Sequence, residues 1–156
     1  MQRIVLLVAL VFVSSLSAAQ PSAEAITAEV TDNIATEYAE CAAYFAVLQG
    51  ASGNSGKPSE SAKFKAASDK AAEFSLISAR QSRSEDMATK VTLARFEMSL
   101  KEMQKTIDNN YSNISLLMNK YSDSCVEGMT NSAALMKRWS DRVNAKYGIT
   151  PYPQTK

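Results

Sequence analysis

The chain has 156 residues, 17 basic and 16 acidic side chains, a formal charge of +1, two cysteines and no histidine. So balanced a charge argues against the basic footprint of a nucleic-acid-binding protein and against electrostatic attachment to an anionic membrane. Glycine (five) and proline (four) are scarce and alanine is abundant, which favours helix over sheet.

Residues 1–19 read as a cleaved secretory signal peptide. Arg3 supplies a positive start, residues 4–13 an unbroken apolar run, and Ser17, Ala18 and Ala19 a small-x-small cleavage site. The apolar run is well short of the roughly 20 residues that a membrane-spanning helix needs. No cysteine lies near the cleavage site to take a lipid, and no later stretch is apolar enough to span. Cleavage removes Arg3 and no acid, leaving 16 bases (17 less one) against 16 acids.

A first helix is predicted from the N-cap Ser22 to a stop at Gly50. Its apolar stripe is Ile26, Val30, Ile34, Tyr38, Cys41, Phe45 and Leu48, in steps of three and four. It carries Glu24, Glu29, Asp32, Glu37 and Glu40 and no base. Residues 50–58, rich in glycine and serine, read as an exposed loop. Its glycines lack the strand and the spacing of a phosphate-binding loop.

A second helix is expected over 59–81, with Phe64, Ala67, Ala71, Phe74 and Ile77 on one face. Ser82 and Glu85 have capping-box spacing and mark a restart. The third helix carries Met87, Val91, Ala94, Met98, Leu100, Met103 and Ile107. Apolar spacing continues through Tyr111, Ile114, Met118 and Tyr121, so periodicity alone allows one long helix. Residues 108–113, however, are rich in Asp and Asn, which bond their own backbone and favour turns.

The cysteines decide for a turn. Cys41 stands ~12 Å from the end of the first helix, and Cys125 ~22 Å into a helix descending from residue 110. A bridge needs Cα atoms ~6 Å apart, which a straight continuation forbids and a turn permits within a few residues of stagger. The last helix is then expected over 112–146, with a break signalled at Gly128–Asn131 and a stripe of Leu135, Trp139 and Val143. Gly148 closes it, and 149–156 reads as a frayed tail.

An even cysteine pair in an exported chain reads as a structural disulfide, Cys41–Cys125. The missing histidine removes the commonest general base, the usual zinc ligand and the Glu-x-x-His element of di-iron bundles. No nucleophile motif is present. Met87, Met98, Met103, Met118 and Met136 fall on or beside apolar stripes and read as core fillers rather than copper ligands. Glu37 and Glu40, one turn apart, form the only carboxylate pair of interest. The basic set Lys137, Arg138, Arg142, Lys146 and Lys156, with Asp141 as its single acid, opposes the acidic first helix across the expected disulfide. Asn110 and Asn113 begin glycosylation sequons that matter only in a eukaryotic host.

The sequence thus predicts an all-α protein: an antiparallel helical bundle of about four helices over 20–148, stapled by one disulfide, between a signal peptide and a tail. The expected function is that of an exported, non-catalytic binding or accessory protein of a bacterial envelope, periplasmic or secreted, without metal or cofactor. Its expected binding surface is Glu37, Glu40, Tyr44, Tyr121 and Trp139, beside Tyr38, facing an unknown protein partner. The alternative is a carrier holding a small apolar molecule or lipid inside the bundle. An enzyme built on carboxylates and tyrosines is the third reading, opposed by the missing motifs.

Overall fold

A computed structural model describes residues 20–149. The expected signal peptide and residues 150–156 of the tail lie outside the described residues. Five α-helices follow in order: α1 (Ala23–Asn54), α2 (Pro58–Arg80), α3 (Glu85–Thr106), α4 (Ser115–Thr130) and α5 (Ser132–Lys146), with a 3₁₀ turn at Tyr111–Asn113. No strand occurs among them.

Everything packs on α1, which touches each of the other four helices. Ser22 caps it, its Oγ accepting from the Ala25 N–H at 3.2 Å. The predicted stripe is buried from Val30 to Leu48, but burial extends all round the helix to Ala35, Ala39, Ala42, Ala43, Tyr44 and Val47. The alanines explain the wrap, because small side chains let neighbouring backbones come close. On α2 the facing residues are Ser68, Ala71, Ser75 and Ala79, all buried. Ser68 Oγ donates to the Ala42 carbonyl at 2.8 Å and Ser75 Oγ to that of Ala35 at 2.7 Å. These serines therefore close a tight seam without leaving a buried hydroxyl unpaired.

The first helix does not stop at Gly50. It runs on to Asn54, and Gly56, in the left-handed region at φ 69°, provides the exit. Gly50 serves packing instead: a Cβ there would stand 2.5 Å from the Tyr111 hydroxyl oxygen. The expected loop at 50–58 shrinks accordingly, and Pro58 opens α2 at a position where its missing N–H does no harm.

The restart before α3 is present, but Ser84 and not Ser82 sits at the N-cap, and Glu85 pairs with Arg80 rather than closing a capping box. The turn at 108–113 is borne out. Asp108 and Asn109 are left-handed, at φ 53° and 52°, and the Asn110 side chain accepts from the Ser112 N–H at 3.0 Å. The long last helix is two helices, broken at Asn131, whose Oδ1 caps Ala134 N–H at 3.0 Å. Gly128 stays inside α4, where its carbonyl accepts from the Tyr38 hydroxyl at 3.1 Å.

Methionine gives a second correction. Met103 is 1% exposed and fills the core, but Met98 is 71% exposed, and Met87, Met118 and Met136 are also at the surface. Ile77 is exposed too. The buried face of α2 is the small-residue seam; Phe64 and Phe74 are half-buried beside it and pack against the core, and of the predicted face only Ile77 is turned outward.

The acidic stretch of α1 is paired from two sides. Asp32 accepts from Arg95 at 2.8 Å and from Arg83, with all three side chains half-buried. Burial alone raises the Asp32 pKa, but hydrogen bonds and charge from Arg83 and Arg95 outweigh it and hold the carboxyl below its usual value. Its stabilising contribution is therefore complete above the unfolded value near 3.8 and is lost as pH falls through the lower folded one. Asp32→Asn is expected to lower stability by about 2–3 kcal/mol at neutral pH, since two guanidinium groups lose the negative charge they share and one of its accepting oxygens becomes an N–H donor. Urea titrations at pH 7 and pH 3 check this; an equal loss at both would contradict it.

Candidate functional site

The disulfide is where the sequence places it, with the Cys41 and Cys125 Cα atoms 5.3 Å apart and both residues buried. It joins α1 to α4, and α4 and α5 descend in turn along α1. Cys125 lies beside Cys41, Arg138 bonds Glu37, and Lys146 bonds Glu29 at 2.6 Å. The acidic and basic helices thus meet as charge opposition predicts.

Between α1 and the α4–α5 pair runs a groove of about 370 Å³, lined among others by the disulfide, Glu37, Glu40, Tyr121 and Trp139. Four of the five residues expected at a binding surface come together there. The fifth, Tyr44, does not. It is 2% exposed, with its ring centroid 5.3 Å from that of Phe45 and 6.0 Å from that of Tyr121. Tyr44 is core, because α1 is enclosed on the side that a single apolar stripe leaves open.

The two carboxylates differ in what holds them. Glu37 is 14% exposed at its side chain and doubly bonded: one oxygen accepts from Arg138, the other from the Trp139 indole N–H at 2.7 Å. Arg138 reaches on to Glu127 at 3.1 Å. Together these bonds fix the Trp139 ring at the groove wall. Glu40 is half-buried and accepts no hydrogen bond from any described residue. Burial, reinforced by the charges of Glu37 and Glu102 and only partly offset by Lys120, raises its pKa.

A raised carboxyl pKa means that the folded chain holds the proton more tightly than the unfolded one. Glu40 therefore favours the fold most at pH below its unfolded value of 4.5, and this contribution is lost as pH rises through the higher folded value. Glu40→Gln should accordingly raise the urea midpoint at pH 7, with the difference from wild type shrinking towards pH 4. A lower midpoint at pH 7 would show that Glu40 has a stabilising partner.

Lys120, Arg138 and Arg142 complete the groove's charges. Lys120 Nζ lies 4.7 Å from the Tyr121 ring centroid, and the Arg142 guanidinium 4.9 Å from that of Trp139. The sequence reading placed Arg138 and Arg142 in the basic set but not at a site. The missed signal was the polar stripe Asn33, Glu37 and Glu40, in steps of four and three on the part of the helix whose other residues are mostly buried. Among the described residues no group of three or more Asp, Glu or Cys is placed to hold a metal ion.

These features define a class: a five-helix bundle organised around one central helix, with a polar, aromatic groove over its disulfide. No family model, curated protein or solved structure matches the chain.

Proposed function

We propose that the protein is an exported, non-catalytic binding or accessory protein, acting outside the cytoplasm in a bacterial envelope, and that it recognises a protein partner through the α1–α4–α5 groove. The observation that carries this reading is the Glu37–Trp139 hydrogen bond. It uses a half-buried carboxylate to hold a large aromatic ring at the mouth of a groove, and such rings supply much of the energy of protein recognition. The disulfide supports export, since such bonds persist in oxidising compartments. No described helix is long and apolar enough to cross a membrane.

Recognition at the surface is favoured over a carrier role. The bundle interior is filled by Tyr44, Met103, Ile107, Leu117 and Leu135, all almost fully buried, where a carried ligand would need space.

The test is affinity capture from the chain's own envelope fraction, with wild type and Trp139→Ala compared side by side. A protein retained by the wild type and released by the variant, with both variants equally helical, supports the groove. A partner retained equally by both would remove the groove from the reading. A chain found with reduced cysteines in the cytoplasm would remove export.

A further inference from the structure

The groove has one acid without a partner. Four acids surround it: Glu37 and Glu40 on α1, Glu102 on α3 and Glu127 on α4. Three bases face them: Lys120 on α4, and Arg138 and Arg142 on α5. Arg138 is bonded to both Glu37 and Glu127. Lys120 is 3.8 Å from Glu102 and lies over the Tyr121 ring, while Arg142 lies over Trp139. Glu40 is left with neither a hydrogen bond nor an ion pair among the described residues, although it is half-buried. A half-buried carboxylate that meets water and no donor of its own chain is strengthened by an incoming group with N–H donors and positive charge, which forms charge-assisted hydrogen bonds with it.

The aromatic walls point to the same chemistry. Each ring of the groove already has a cation of the chain over it, Lys120 over Tyr121 and Arg142 over Trp139, and an incoming cation takes the place of one of these exposed, long side chains. The groove's volume of about 370 Å³ admits one long basic side chain or a small amine, and not a folded element.

We propose that Glu40 is the recognition group of this groove and that it takes a cationic nitrogen group, an ammonium or guanidinium, between Tyr121 and Trp139. This rests on the groove being the binding surface and names what it binds. A basic side chain of a protein partner and a free small amine share this chemistry.

Trp139 is the only tryptophan in the chain, so its fluorescence reports on the groove alone. The oxidised full-length protein is titrated with a short end-blocked peptide carrying one arginine, with the same peptide carrying glutamine instead, and with methylguanidinium and butylammonium. The expected result is a saturable response to the arginine peptide and none to the glutamine peptide. Binding should weaken with added salt and as pH falls far enough to protonate Glu40. Glu40→Gln should bind about tenfold more weakly, the loss of one ion pair in a partly desolvated site. That variant is expected to be more stable than wild type, so lost binding cannot be put down to misfolding. Methylguanidinium or butylammonium binding as tightly as the peptide identifies a small amine as the natural ligand; peptide-only binding identifies a partner's side chain. Equal affinity in Glu40→Gln, or no saturable response to any cation, overturns the proposal. A captured partner that depends on Trp139 but not on Glu40 overturns the cation and leaves the groove, whereas a partner that depends on neither removes both.

Discussion

Removing the Cys41–Cys125 bond is expected to lower stability by about 4–5 kcal/mol, the largest single effect in the molecule. The bond closes a loop across 84 positions of sequence, and restricting an unfolded chain over that distance accounts for a figure of this size on chain-entropy grounds. Native packing adds to the argument. The inward side of α4 is Leu117, Cys125 and Gly128, with Tyr121 and Met129 half-buried against the core, and the helix exposes Leu116, Met118 and Val126. With so narrow an apolar face, α4 depends on its covalent tie more than α2 does on its seam. The clean comparison is wild type against the Cys41→Ala/Cys125→Ala pair, which avoids leaving an unpaired thiol or hydroxyl in the core. Urea unfolding followed by far-ultraviolet circular dichroism should show a loss of the stated size, and thermal melting a midpoint lower by roughly 10–20 °C. A loss below about 1 kcal/mol would mean that helix packing alone holds α4 in place and that the loop entropy is already restricted in the unfolded chain. Because the bond floors the groove, the Trp139 emission of the alanine pair should also move towards that of solvent-exposed indole before global unfolding.

What the sequence made legible follows from which forces leave a periodic trace. The α1 stripe from Val30 to Leu48 was readable because apolar burial repeats at helical spacing. The turn at 108–113 was readable because Asp and Asn favour their own backbone, and because two cysteines had to meet. The small-residue seam was not readable. Ser68 and Ser75 look like surface serines until their hydroxyls are seen donating to the Ala42 and Ala35 carbonyls, a pairing 26 and 40 positions away in sequence. Gly50 misled for a related reason: a glycine is as useful for admitting the Tyr111 ring as for ending a helix. The site was half-legible. Acid on α1 and base on α5 predicted that those faces meet, but only the fold separates Glu37, doubly bonded, from Glu40, three residues on and unpartnered. Sequence spacing makes them equivalent, and their environments do not.

Tyr44→Ala is expected to lower stability by about 3–5 kcal/mol, as large aromatic truncations in closed cores do. Tyr44 and Tyr121 are neighbouring rings with different surroundings. Tyr44 is 2% exposed and packed against Phe45 and Tyr121, so truncation leaves a cavity that the alanine-rich backbone around it cannot fill by collapse. Tyr121 lines the groove on one side and covers Tyr44 on the other. Tyr121→Ala should therefore lose less stability, about 1–2 kcal/mol, because part of the space it vacates is open to water. The order reverses for binding: Tyr121→Ala should weaken whatever the groove takes, and Tyr44→Phe, which keeps the ring and loses the hydroxyl's bond with Ser122, should cost about 1 kcal/mol of stability and leave binding close to wild type. The two sites are not independent, since the rings touch. A double-mutant cycle should give a coupling of about 0.5–1.5 kcal/mol for the aromatic pair beyond the area each buries. If Tyr121→Ala proves the more destabilising, Tyr121 is the true keystone of the α1–α4 contact and the groove is the outer face of the core. If Tyr44→Ala is mild, the ring has room to be replaced, and α1 is less enclosed than its burial implies. The expected order puts stability in the inner ring and recognition in the outer one, on helices held together by the same disulfide.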